Sequence, residues 1–320
     1  MPAHPVPSLL LTGGSGFVGS AAAAALTRRG AFCRLAMRKA GSVLAREQVV
    51  CVAALGPETN WSQALDGTEA VLHLAARVHV LRDAVADPLA AYRAVNTAGT
   101  LLLAEQAAAA GVRRFVFVST VKVHGERTSP GNPFTEALPP APDDPYALSK
   151  WEAEQGLAAI AARTGMEVVI VRPPLVYGPG VKANFAALLR AVARGWPLPL
   201  AAVDNRRSLV GIDNLVDFLL LCLEHPAAAN QTLLVSDGED LSTPDLLHRL
   251  GTVMDRPARL WPMPPALLTA GAALLGRRAA AERLCSNLQV DITKARTLLG
   301  WTPPISVDEG LRRAAAGLAT

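Results

Sequence analysis

Charged residues make up only 18% of this 320-residue chain, and aromatic residues only 5%. So little charge beside 51% hydrophobic residues excludes a disordered, highly charged chain. Neither sign of charge dominates, since the formal net charge is +4. The arginine pairs Arg28/Arg29, Arg113/Arg114 and Arg277/Arg278 are scattered and lack interleaved aromatics, so they read as solvated helix ends and not as a nucleic-acid surface. The four cysteines, Cys33, Cys51, Cys222 and Cys285, stand far apart with no C-x-x-C pair and no His cluster at ligand spacing. Neither a disulfide framework nor a metal site is expected. Long hydrophobic runs are missing too. The longest nearly uncharged stretch, Pro262 to Gly276, falls short of the roughly 20 residues a bilayer requires, so no transmembrane segment is expected. The opening MPAHPVPS has no basic region before an apolar run, which argues against a signal peptide and for a cytoplasmic protein.

What the chain does have is alternation. Short apolar runs at 9–12, 33–37, 49–53, 70–75, 114–119 and 167–172 are separated by Ala-rich helical stretches, among them 17–29, 88–110 and 145–163. Runs that are apolar on successive residues suit strands covered on both faces. The expected fold is therefore α/β, a Rossmann-type doubly wound parallel sheet, with the dinucleotide-binding unit over 1–172. After Arg172 the composition turns to Pro and Gly, and the elements become less regular. A smaller C-terminal substrate-binding lobe is expected over 173–320, with some later segments returning to the first unit.

Gly13, Gly16 and Gly19 in TGGSGFVG follow the strand LLLT directly and open a helix. In that context glycine permits the tight turn and close backbone approach, and the helix N-terminus offers free N–H groups to a pyrophosphate. Ser15, Phe17 and Val18 belong to the same candidate cofactor turn. At the end of the second strand stand Arg38 and Lys39, where an NAD enzyme typically places Asp or Glu. A cation there suits a 2′-phosphate, which favours NADP while leaving NAD open.

Tyr146 and Lys150 lie four apart at the start of a predicted helix and so share a face. A free tyrosine has a pKa of about 10, too high for proton transfer at neutral pH, and a neighbouring ammonium is expected to lower it. This pair is the candidate catalytic centre.

Together with HLAA (73–76), Asn96, RFVFVSTVKVHG (114–125), RPPLVYGP (172–179) and DITKARTLLGWTPP (291–304), these motifs resemble the extended short-chain dehydrogenases/reductases of the NAD-dependent epimerase/dehydratase family. Bacterial UDP-N-acetylhexosamine 4-epimerases and 4-ketoreductases are the nearest group. The resemblance implies cofactor contacts from Leu74, Ala75, Ala76, Asn96, Ser119 and Pro173 besides Tyr146 and Lys150. It adds Thr120, five residues before Gly125, as the third catalytic group. Lys122, Asn184, Arg207 and Arg283 become candidates for holding a UDP-sugar, and a homodimer through the helices 88–110 and 145–163 is implied.

Departures from the family pattern narrow the chemistry. Val121 and Lys122 replace the Asp and Glu that a 4,6-dehydratase uses as acid and base. Leu175 stands where UDP-glucose 4-epimerases commonly carry Asn. Ala53, Ala54 and Leu55 replace the usual adenine contact, and His124 replaces a usual Tyr and reads as structural. The favoured expectation is an NADPH-dependent reductase of a UDP-4-keto-6-deoxy-N-acetylhexosamine, with a UDP-sugar 4-epimerase as alternative. A reductase of a non-sugar ketone and a non-catalytic dinucleotide-binding protein also stay open. The apolar stretch 264–276 is expected to pack on the small lobe, with a membrane-surface helix as the other reading.

Overall fold

The computed structural model describes residues 8–31, 33–38, 49–52, 54–78 and 87–318. Its first half alternates strand and helix: β1 (Leu9–Thr12), α1 (Phe17–Arg28), β2 (Cys33–Met37), β3 (Val49–Cys51), α2 (Ser62–Leu65) and β4 (Ala70–His73). Next come α3 (Pro88–Tyr92), a π-helical stretch (Arg93–Gly99), α4 (Thr100–Ala109), β5 (Arg114–Val118), α5 (Pro145–Thr164) and β6 (Glu167–Arg172). The expected helix 88–110 is thus present, but its middle is wound as a π-helix. The expected helix 145–163 ends where Gly165 adopts the left-handed conformation, which glycine enters without the Cβ clash.

The second half contributes β7 (Leu175–Tyr177), α6 (Ala183–Ala193), β8 (Arg207–Gly211), α7 (Ile212–Glu224), β9 (Thr232–Leu234) and β10 (Asp240–Leu241). It closes with α8 (Thr243–Val253), α9 (Pro265–Leu274), α10 (Arg278–Cys285), α11 (Thr293–Leu299) and α12 (Val307–Ala316).

Seven strands form one parallel sheet in the order β3-β2-β1-β4-β5-β6-β9. Successive residues of each central strand enter opposite cores. Leu9, Leu11, Leu72 and Val116 pack with α1 and α7, whereas Leu10, Val71, Phe115 and Phe117 pack with α2, α4 and α5. This two-sided burial is why the strands read as unbroken apolar runs. The short sheet β10-β8-β7 and helices α6, α8 and α12 enclose a third core around Tyr177, Phe185 and Leu247.

α9 departs from the packing expected of it. It has no buried residue: Leu268 alone of its leucines rests on the third core, while Leu267 is 62% and Leu274 90% exposed. Among the described residues no helix is long and apolar enough to cross a membrane.

Beneath the sheet's carboxyl end lies a buried ion pair. Arg172, at the end of β6, holds both oxygens of Glu154 on α5, and its Nη1 donates to His124 Nε2 at 2.8 Å. An arginine only donates, so Nε2 accepts and the imidazole is neutral; burial, aided by Arg172, holds its pKa near 4. His124 also stacks on Phe134 at 5.3 Å, which fits the structural role expected of it. Replacing Glu154 by Ala leaves a buried guanidinium without its counter-charge. Urea unfolding of Glu154→Ala should show a loss of about 3–5 kcal/mol, and Glu154→Ala/Arg172→Met should recover part of it.

Candidate active site

The first turn is built by close backbone contact. Gly13 has φ +74°, and a Cβ there would lie 2.7 Å from the Ala75 nitrogen. A Cβ on Gly19 would lie 2.0 Å from the Gly13 carbonyl oxygen. Glycine at both positions lets β1, α1 and the segment after β4 meet at one point. Gly16 is the N-cap of α1 with no side-chain cap, and Ser15 and Gly16 are exposed. Phe17 and Val18 start the helix, so their uncapped N–H groups point toward solvent. The residues present therefore fit a dinucleotide pyrophosphate.

Leu74, Ala75 and Ala76 form the opposite wall, half-buried. Asn96, an expected cofactor contact, is fully buried beside that wall. Its amide is used by the Arg77 nitrogen (2.8 Å), the Arg77 carbonyl (3.0 Å) and Ser149 Oγ (3.1 Å). The π-helical turn places it there, as such turns often do at functional sites. A second polar relay, Thr12–His73–Thr100, ties β1 and β4 to α4 at 2.7 and 2.9 Å. Arg38 follows β2 and is exposed. Lys39 and Ala53 lie outside the described residues.

At the ends of β5 and β6, Ser119 is buried and its Oγ has no partner among the described residues. Thr120 accepts from the Lys122 nitrogen at 3.3 Å, and the Pro173 carbonyl accepts from the Val121 nitrogen at 3.0 Å. Asp144 caps α5 by accepting from the Ala147 nitrogen at 2.7 Å. Pro145 follows, as suits the first position of a helix. That cap sets the first turn, and with it Tyr146 and Lys150.

The electrostatics differ from expectation. Burial pushes the Tyr146 hydroxyl above its ordinary range, and the Asp144 carboxylate and Tyr92 push the same way. Lys150, its expected partner, is itself perturbed. Its ammonium sits 3.9 Å above the Phe117 ring, and burial lowers its own pKa to about 7, with Glu154 opposing. Tyr146 is instead framed by Tyr92, edge-on at 6.0 Å between ring centres.

The substrate-side candidates converge. Asn184, Arg207, Arg283 and Leu175 line one cleft, walled by Phe185, Leu188 and Leu246. Arg207 Nη1 donates to the Arg283 carbonyl at 2.8 Å. Burial and the Arg283 charge bring the Arg207 pKa down to about 10 against the pull of Glu126. Glu126, which no sequence motif marks, links this cleft to α5. It lies 3.9 Å from Arg283 Nε and pairs with Lys122, whose Nζ also donates to Asp144 at 2.8 Å. Lys122 thus stands between two carboxylates.

Residues 9–235 match the NAD dependent epimerase/dehydratase family. The chain belongs to that family. It is 45% identical over 314 residues to a UDP-glucose 4-epimerase of Vibrio cholerae, covering 96% of this chain and 94% of that one. The fold is also that of UDP-glucuronic acid 4-epimerase from Bacillus cereus in complex with NAD, with a TM-score of 0.77, 22% identity and coverage of 97% and 96%. RMD from Pseudomonas aeruginosa, complexed with NADPH, superposes with a TM-score of 0.72 at 24% identity, covering 97% and 99%. The family enzyme is NAD(P)-dependent, and the nicotinamide form it takes is a question for its own residues.

The depressed Lys150 gives a pH test. An unfolded chain keeps this amine protonated up to its ordinary value of 10.5, while the folded protein releases the proton near 7. The unfolded state therefore binds more protons between those values, and stability rises with pH across that window. Relative to wild type, Lys150→Met should be stabilised most below pH 7, and the difference should shrink as pH climbs toward 10, measured by urea unfolding at each pH.

Proposed function

We propose that this enzyme is an NAD(P)-dependent oxidoreductase acting at C4 of a UDP-sugar, as the reductase of a UDP-4-keto-6-deoxy-N-acetylhexosamine. One observation carries the reading: the ion chain Arg283–Glu126–Lys122–Asp144 joins a cleft containing two arginines to the helix that bears Tyr146 and Lys150. A diphosphate held by Arg207 and Arg283, with Asn184 beside it, leaves its sugar directed toward Thr120 and Tyr146. Neutral substrates need no such grip, which disfavours a steroid-type ketone.

The turn of Gly13, Gly16 and Gly19 would hold a nicotinamide dinucleotide, which would supply the hydride chemistry at C4. Tyr146, kept protonated by burial, donates its proton to the C4 oxygen, and Thr120 Oγ1 orients that oxygen. Lys150 holds the nicotinamide ribose. Exposed Arg38 supports NADPH as the form used. A second reading, 4-epimerisation of a UDP-hexose, is supported by the 45% identity to the Vibrio cholerae enzyme.

Protein purified without added nucleotide decides between them. Isolated free of cofactor, it should oxidise NADPH on addition of a UDP-4-keto-6-deoxy-N-acetylhexosamine. Tightly retained NAD together with interconversion of UDP-glucose and UDP-galactose would replace this reading by the second. Tyr146→Phe should lower turnover by about 100- to 10,000-fold with nucleotide affinity unchanged, the usual worth of a positioned proton donor. Glu126 competes with the diphosphate for Arg283. Calorimetric titration with UDP should therefore show Glu126→Gln binding roughly two- to fivefold tighter, the worth of one partly exposed ion pair.

A further inference from the structure

The second lobe carries a surface that the substrate cleft does not explain. The stretch 264–276 contains no charged residue. Leu267 and Leu274, seven positions apart on α9 and so on one face, are 62% and 90% exposed, and Leu275 beyond them is 77% exposed. Ala270 and Gly271 between them are exposed as well. The opposite side of α9 is occupied, by Leu268 on the lobe core and by α10 alongside.

Two tryptophans stand on neighbouring chain. Trp196 is 52% and Trp261 44% exposed, on segments that pair through Leu198 and Leu260, and Trp261 precedes α9 by four residues. Exposed cations stand on and beyond these segments, alongside exposed Asp204 and Asp255. The Arg194 guanidinium lies 5.1 Å from the Trp196 ring centre, and Arg259, Arg277 and Arg278 are exposed. The nearest acid on α10, Glu282, is shared by Arg278 and Arg127.

An uncharged leucine face, indole rings that favour a headgroup level, and a cationic margin are what an interfacial helix presents to lipid. We propose that α9 and the Trp196/Trp261 segment dock this enzyme on an anionic bilayer surface. The leucines enter the acyl boundary and the arginines meet lipid phosphates. A second copy of the chain fits less well. Ten residues of helix offer a face roughly 15 Å by 10 Å, far below the ~800 Å2 per partner that a stable dimer buries. A two-fold contact would also set these arginines against their own copies. Because α10 carries Arg283 and Leu284 into the cleft wall, the docked face adjoins the cleft, though the proposal rests on the surface alone.

The test is flotation of the full chain with vesicles of phosphatidylcholine containing about one third phosphatidylglycerol, an anionic surface that attracts juxtaposed arginines. Wild type should float with these vesicles, float less with pure phosphatidylcholine, and be released by salt. Leu267→Asp/Leu274→Asp should lose at least about tenfold in partitioning, since both side chains would carry charge into the apolar boundary. An unchanged melting temperature shows that the variant folds, and Arg259→Glu/Arg277→Glu should weaken flotation independently of the leucines. Wild type that stays with the soluble fraction, or a leucine variant that floats as well as wild type, overturns the proposal. So does a lipid-free dimer of wild type that the leucine substitutions convert to monomer, which would assign the face to a second copy.

Discussion

Every strand of the seven-stranded sheet points the same way, and both faces of the sheet are covered. Leu10, Phe115 and Phe117 are sealed by one layer of helices and Leu9, Leu11 and Val116 by the other. A ligand is therefore confined to the edge where the strands end. There the chain brings β1, β4, β5 and β6 to a common level, and each supplies one wall: the glycine turn, the Leu74–Ala76 segment, Ser119 and Thr120, and Pro173. The close packing of Gly13 against Ala75 and of Gly19 against Gly13 sets the spacing of the first two walls. Asn96 and the Thr12–His73–Thr100 relay hold that spacing from inside. The walls of this edge are thus held in place by buried polar groups.

Two kinds of charge pairing serve the site, and magnitude separates them. Arg172 and Glu154 are nearly inaccessible, at 5% and 1% exposure. Loss of either partner would strand a charge at a cost of several kcal/mol, which makes this pair part of the scaffold. The chain from Arg283 through Glu126 and Lys122 to Asp144 is partly exposed throughout, with side-chain exposures of 20–43%. Pairs of that kind are worth about 1 kcal/mol or less. They exchange partners readily, so an incoming anion can take Arg283 from Glu126 without disturbing the fold. The rigid pair lies under the floor and the exchangeable chain lies along the wall.

The parts visible in the sequence are those with a local cause. Unbroken apolar runs gave the covered strands, the Gly13/Gly16/Gly19 spacing gave the turn, and the i, i+4 relation of Tyr146 and Lys150 followed from helix geometry. Asn184, Arg207 and Arg283 came from resemblance, and folding brought them to one cleft. What lacked a local signal escaped. Glu126 matters through neighbours 18 and 157 positions away, Asp144 and Arg283, and no periodicity encodes such a meeting. Asp144 had a readable sign in the D-P step that opens α5, an N-cap followed by proline. The expected lowering of Tyr146 left out the burial of the phenol, which pushes the other way. Within the fold the ammonium rests on Phe117, and burial together with an acidic cap governs the phenol. α9 was misjudged because its composition is that of a core helix, and composition does not say which face is covered.

The protonation of Tyr146 bears on the direction of the chemistry. Reduction of a ketone needs an acid at the oxygen, whereas oxidation of an alcohol needs a base there. A phenol raised by burial and by Asp144 is an acid with its proton in place. An epimerase must run both half-reactions in one site, so it has to reach the phenolate as readily as the phenol. In this chain the route to the phenolate passes through its surroundings. If a diphosphate takes Arg283 from Glu126, Glu126 keeps Lys122 as its partner, and less of the Lys122 charge is left to neutralise Asp144, the carboxylate that most raises Tyr146 after burial itself. On the proposed reading, substrate binding at the arginines then keeps Tyr146 in its protonated form from a distance. On the same proposed reading, the ion chain that yields Arg283 to the substrate thereby tunes its proton donor, and a uridine nucleotide lacking a reactive C4 suffices to separate that effect from catalysis.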